Sequence, residues 1–381
     1  MNETGGLTRS LTSLTGIIKD NLSLYLRGTT SLLILTFSLP SIIINIINVF
    51  IFINTRVTDS ITVCFLTLAA ADLCSMLLLT VKALCSFFVA MSVSWSSSLD
   101  IISFSLGGIY SLSSDFSSAV TTYIALQRGL CVALPFMARI LFTKNKSLKA
   151  ITAIFIFLML CALPRMLSFR VVKSRHRVGT NSSAVLIISF LESWVVADGF
   201  YLIFVKTVLV CLEYCTMILC AAAIFVGLRS SIELKYSSSA SSKFENHRNI
   251  HNQSGSGKHA ENIKREGNLD AKDVGRKVCK TEKKRESKET AVVKQSLLVV
   301  LIQVICTTPR VTVCLYQFFE PRFQIGKQYH NLFYVVYLGM NVVDSINAFL
   351  NFFVYFRLNS KFRNHFKLVF KTSSFVKNTK L

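Results

Sequence analysis

Asp72, Lys82, Asp115, Arg128, Glu213, Arg310 and Asp344 are charged residues set inside runs that are otherwise apolar. In the middle of a bilayer such a charge costs at least about 2.5–3.5 kcal/mol, so each is expected to be paired, hydrogen-bonded or part of a working site. The chemistry they offer is recognition of charge, not bond-making. No HExxH or GxSxG pattern occurs, and the six histidines are scattered without metal-ligand spacing. The sequence therefore reads as a non-enzyme.

The elements that must position these residues are membrane helices. Of 381 residues, 52% are hydrophobic and only 16% are charged, where about a quarter is usual for a soluble domain. Mean hydropathy is +0.51. Seven apolar segments fall at about 31–55, 61–90, 99–131, 148–169, 195–228, 292–319 and 330–357, each long enough to cross the hydrocarbon core. The third is the most polar and is expected to be buried among its neighbours. The fold class is thus all-α, a seven-helix transmembrane bundle. Most cysteines lie inside apolar runs and read as small core residues. No charged-then-apolar signal peptide opens the chain, so the first span is expected to act as the insertion signal.

Charge sets the orientation. The net charge of +22 falls on loops, which favours topology over nucleic-acid binding. Between Arg229 and Lys294 there are 16 Lys or Arg against 9 Asp or Glu. The 137–149 linker and the tail are also basic, and all three share one side of the membrane. By the positive-inside rule that side is cytoplasmic and the N-terminus is outside. Residues 1–30 then form an extracellular segment carrying the sequons at Asn2 and Asn21, and Asn181 also falls outside. The basic 165–177 loop is the misfit. Residues 229–291 are expected to be a disordered intracellular loop, turning helical as they enter the sixth span. After Tyr355 the chain alternates Phe356, Phe362, Phe366 and Phe370 with Arg357, Lys361, Arg363 and Lys367, an amphipathic pattern suited to the lipid surface, which leads into the 358–381 helix and tail.

Motifs then appear in order along the chain. They are LAAADL (Leu68 to Leu73), QRGLCVALP (Gln127 to Pro135), CTTP (Cys306 to Pro309) and NAFLNFFVY (Asn347 to Tyr355), with Asn48 in the first span. Together they resemble the rhodopsin-like, class A, G-protein-coupled receptors. The resemblance covers about 30–370 except the 229–290 insert. It implies an eighth, amphipathic helix and a polar core in which Asn48, Ser117, Asn347 and Asn351 surround Asp72. That core either holds a sodium ion in the resting state or is purely structural. The resemblance further implies that Arg128 holds the third and sixth helices together at rest and then meets the G protein. The other reading of Arg128 is a snorkelling anchor; its spacing to Pro135 favours the first. Glu289, twenty residues before Pro309, is the acidic partner the pattern offers. Pro309 kinks the sixth helix so that its lower half swings outward, and Tyr355 swings inward to support the open state.

Departures carry expectations of their own. Gln127 and Gly129 replace the letters that usually flank the arginine, and a neutral Gln127 is expected to raise basal signalling. Thr307, Ala348 and Phe352 replace a tryptophan, a hydroxyl and a proline. The bridge that usually ties the third helix, near Ser103, to the second outer loop cannot form, because 165–198 lacks cysteine. That loop is expected to be mobile or held by other contacts. No cysteine follows Cys314, which excludes palmitoylation of the tail. By family spacing, Lys82, Tyr110, Arg310 and Asp344 approach the ligand cavity. Tyr110 stands where amine receptors carry aspartate, and 330–357 has no lysine to bind retinal. The cations suit a small anion; the other reading is that these charges pair internally, for instance Lys82 with Asp344.

The divergence resembles that of invertebrate chemosensory receptors. A neuropeptide receptor is the near alternative, and a secondary transporter the rival class, disfavoured by an odd helix count without inverted repeats. The partners expected are an extracellular ligand, a heterotrimeric G protein, the plasma-membrane bilayer, and receptor kinase and arrestin acting on serines of 237–242 and 373–374.

Overall fold

Helix α1 (Asp20–Asn54) turns its small polar residues inward and its large apolar ones outward. Ser31, Ser38, Ser41, Asn45 and Asn48 are buried, whereas Leu32, Leu39, Ile43, Ile46, Phe50 and Ile53 are exposed. A water-soluble protein does the reverse; a bundle surrounded by lipid does this. The computed structural model describes residues 20–54, 59–91, 96–178, 181–191, 193–230, 266–324, 327–359 and 362–368.

After α1 come α2 (Ser60–Ala90), α3 (Ser96–Ala133), a short α4 (Pro135–Leu141) and α5 (Lys144–Leu167). A hairpin follows, of β1 (Phe169–Val178) and β2 (Asn181–Phe190). Helix α6 begins at Ser193–Phe200, winds as a π-helix over Tyr201–Leu209 and continues over 210–230. Then come α7 (Glu266–Phe319), α8 (His330–Leu358) and α9 over 362–368.

Six of these helices are long and apolar enough to cross a membrane. The seventh is α3, which falls short in apolarity only. Its Ser103, Asp115, Ser117, Ser118 and Thr121 are buried in the bundle, as its composition predicts. Lipid offers no hydrogen bonds, so polar groups must be satisfied within the protein. Helix hydroxyls do this locally: Thr67, Thr80, Thr121 and Thr308 each donate to the carbonyl four residues back.

Three boundaries differ from expectation. Helix α1 starts at Asp20, so exposed Asn21 lies in its first turn. Helix α7 starts at Glu266, so the helical lead into the sixth span, expected for the last part of this loop, reaches back to that residue. Strong helix formers there (Lys, Glu and Arg) extend a helix that the membrane span has already nucleated. The outer loop without a disulfide is an antiparallel ladder running from Phe169↔Phe190 to Val178↔Asn181. Its base is fixed by Leu191 N–H donating to Ser168 O at 3.0 Å. Backbone pairing thus supplies an order that the missing bridge cannot. In the loop between α7 and α8, Arg322 donates to Glu320 at 2.7 Å, and this hydrogen bond holds the Glu320 carboxyl below its ordinary range.

The Asn2 sequon, Phe370 and the 237–242 and 373–374 serines lie outside the described residues. Asn181 opens β2 at the tip of the hairpin.

Candidate functional site

All four residues expected at the ligand cavity meet in the half of the bundle nearer the hairpin. Lys82 on α2 donates to Tyr337 Oη at 3.2 Å. Its ammonium also lies 4.4 Å from the centroid of the Tyr337 ring and 5.3 Å from that of Tyr110. Tyr110 on α3 donates to Asp344 Oδ2 at 2.7 Å. Arg310 on α7 reaches the same oxygen at 2.5 Å and Ser114 Oγ at 2.9 Å. Internal pairing is thus present, but with a different cation from the instance expected: Asp344 is taken by Arg310 and Tyr110, not by Lys82. Among the described residues Lys82 has no carboxylate within ion-pair distance, although it is only 6% exposed. Two tyrosine faces supply about 0.5–2 kcal/mol each, against several kcal/mol for burying an ion.

Sequence reading singled out Asp115 and Glu213 but missed Lys206 and Tyr201, which complete the other half of this cluster. Lys206 places its ammonium 2.6 Å from both oxygens of Asp115. Tyr201 donates to Asp115 Oδ2 at 3.1 Å, and Arg310 Nη1 approaches Asp115 Oδ1 at 3.5 Å. Lys206 is itself a charge inside an apolar span, so the rule that singled out Lys82 applies to it equally. The shared target of Tyr201 and Lys206 was not readable. Residues five apart on an α-helix point about 140° apart at 3.6 residues per turn. The π-helical stretch, with its i→i+5 bonding, brings both onto one face. Glu213, one turn further along α6, accepts from Ser118 Oγ at 3.0 Å.

Deeper in the bundle, Asp72 accepts from Ser117 Oγ at 2.5 Å and from Asn351 Nδ2 at 2.9 Å. Asn48 instead donates to Asn45 at 3.1 Å, and Asn347 to Gln303 on α7 at 2.7 Å. Of the five expected polar-core residues, three are directly bonded and two turn to other partners. The side-chain oxygens of Asn48, Asn347 and Asn351 are buried without a hydrogen-bond donor.

At the opposite end of the bundle, Gln127 does not face the arginine beside it. It donates to Ser60 Oγ at 2.9 Å, and Ser60 meets Ser147 at 2.5 Å, tying α3 to α2 and α5. Arg128 makes no hydrogen bond or ion pair among the described residues, and its Nε is buried and unpartnered. Glu289 lies on α7, but its side chain is outside the described residues. Gly129 has a packing reason: an added Cβ would meet Cβ and Sγ of Cys220 on α6, both at 3.3 Å. Eight residues beyond Arg128, α4 leaves Phe136 85% exposed, with Met137 and Ile140 beside it.

Tyr355 is fully buried, with its hydroxyl unpartnered, among Phe52 (5.4 Å), Phe65 (5.2 Å) and Phe362 (6.1 Å) by ring centroids. The last of these comes from α9. Phe362 is buried, and Phe366 meets Phe352 tilted at 6.0 Å and Phe356 edge-on at 5.3 Å by ring centroids, so this part of the aromatic face packs against the bundle. Asn359 makes the corner: its N–H bonds Tyr355 O and its Oδ1 accepts from Phe362 N–H at 3.0 Å.

A bundle that turns large apolar side chains outward and pairs its charges inside is the fold of a multi-pass membrane protein. The sequence profile described as "7 transmembrane receptor (rhodopsin family)" matches residues 44–355, and the chain belongs to that family. No curated protein matches it closely enough to serve as a relative.

Proposed function

We propose that this receptor lies in the plasma membrane with its N-terminus outside and binds a small anionic ligand, of a chemosensory kind, in the hairpin half of the bundle. Binding activates a heterotrimeric G protein at the Arg128 end. The observation that carries the ligand class is Lys82, a buried ammonium held by two tyrosine rings and a phenol oxygen without a carboxylate. A ligand carboxylate completes its coordination through a charge-assisted hydrogen bond.

Transmission runs along α7. Pro309 removes the hydrogen bond to the carbonyl four residues back, which makes a hinge there. The half of α7 before Pro309 swings outward, uncovering Arg128, while Tyr355 leaves its aromatic cage for a polar partner. A buried, unsatisfied hydroxyl costs about 1–3 kcal/mol, so the resting position of Tyr355 is poised to change. Exposed Phe136 beside the uncovered cleft suits an apolar pocket on the G protein.

A sodium ion is the bound group that the family resemblance implies. The residues fit it: Asp72 supplies the carboxylate, Ser117 a hydroxyl, and Asn48, Asn347 and Asn351 amide oxygens that have no donor. Hard cations take such oxygen ligands. When bound, the ion supplies the positive charge that Asp72 lacks and holds α2, α3 and α8 in their resting packing.

The test is a G-protein activation assay over small carboxylates, with their amides as neutral controls. Carboxylate agonists weakened by Lys82→Ala support the reading; agonism by the amides alone, unchanged in Lys82→Ala, sinks it.

A further inference from the structure

The four charges Lys206, Asp115, Arg310 and Asp344 form one chain across four helices. Lys206 on α6 holds Asp115 on α3 through both oxygens at 2.6 Å. Arg310 on α7 approaches Asp115 at 3.5 Å and reaches Asp344 on α8 at 2.5 Å. Ser114 and Tyr110 on α3 brace the two ends, donated to by Arg310 and donating to Asp344. The side chains are mostly withdrawn from solvent, so salt screens them little. At the other end of the bundle Arg128 has no such tie among the described residues.

We infer that this chain is the clamp that holds the receptor at rest, and that Asp344 serves in it as a built-in competitor of the ligand's anionic group. The position of Arg310 is the reason. It follows directly on Pro309, the one residue of α7 that cannot donate to the preceding turn. Pinning Arg310 to α3 and α8 therefore pins α7 at its hinge. Asp344 occupies Arg310 Nη2 and the Tyr110 hydroxyl, and the Tyr110 ring also borders the Lys82 ammonium. An anion seated on Lys82 thus arrives beside the partners of Asp344. If it takes Arg310 or Tyr110, Asp344 loses part of its coordination and α7 is released from α8. The trigger rests on the ligand reading above; the clamp does not, because it acts in the absence of ligand.

The test uses ligand-free, full-length receptor in lipid nanodiscs. Spin labels placed at exposed Lys149 on α5 and Lys294 on α7 report the separation of these helices at the Arg128 end by pulsed dipolar spectroscopy. Wild type is expected to give mainly one short distance. Asp344→Asn should add a longer population, raising the open-to-closed ratio roughly fivefold or more. The conservative Asp344→Glu, which keeps a carboxylate for Arg310 and Tyr110, should keep the distribution near wild type, which a change of packing alone would not do. Should Asp344→Asn fail to fold, Asp115→Asn carries the same test, since it breaks the ion pairs of both Lys206 and Arg310 to α3. Unchanged distances in the folded Asn variants overturn the clamp, and so does an equally large longer population in Asp344→Glu. A clamp that passes while no carboxylate activates the receptor leaves the resting state as inferred and refutes the ligand class alone.

Discussion

Lys82 and Gly227 show what single residues contribute. Replacing Lys82 with Ala removes the ammonium but leaves Tyr110 and Tyr337 in place. The concentration of a carboxylate agonist needed for half-response should rise roughly tenfold or more, a loss of about 1.4 kcal/mol, as read from dose-response curves at matched surface expression. At Gly227 a Cβ would stand 2.1 Å from Val132 Cγ1, and a β-branched valine has little rotameric freedom to withdraw. Gly227→Ala should destabilise the receptor by about 1–3 kcal/mol, seen as a lower melting temperature that Val132→Ala restores. The residue scale was well read where a charge interrupts an apolar run, as at Asp72, Lys82, Arg310 and Asp344. It failed where orientation decides. Nothing in QRG says that Gln127 turns to Ser60 on α2, because that direction depends on which helix lies alongside.

Helices rather than residues explain most of what sequence reading missed. The π-helical stretch of α6 changes which residues share a face, and periodicity counted at 3.6 residues per turn separates Tyr201 from Lys206. An amphipathic pattern such as that of 358–381 reveals that α9 has an apolar face without revealing what covers it. Here the bundle does, through Phe362 against Phe52 and Tyr355. Asn359→Ala should therefore loosen α9, costing about 1 kcal/mol as an N-cap loss. Faster hydrogen exchange confined to 360–368 would show it; exchange unchanged there would mean that packing alone holds the helix. The hairpin was legible as a loop without a disulfide but not as a ladder, since strand register depends on pairing over the whole turn.

Across the whole molecule the bundle was the most legible feature, because a bilayer allows few solutions to a chain with seven long apolar runs. Even α3, whose serines obscure its apolar character, was placed correctly by the requirement that a polar span be buried. Less legible was how charge is distributed between the two ends. The hairpin end is internally paired across four helices, while Arg128 makes no hydrogen bond or ion pair among the described residues. On this account the receptor is restrained mainly from the ligand side. The central claim is that an anion read by Lys82 drives signalling through Arg128. The most direct measurement is nucleotide exchange on purified G protein by receptor in nanodiscs, over a series of small carboxylates. The account predicts saturable activation by at least one carboxylate, shifted roughly tenfold or more by Lys82→Ala and abolished by Arg128→Ala. Activation only by neutral or cationic compounds, indifferent to Lys82→Ala, would contradict it.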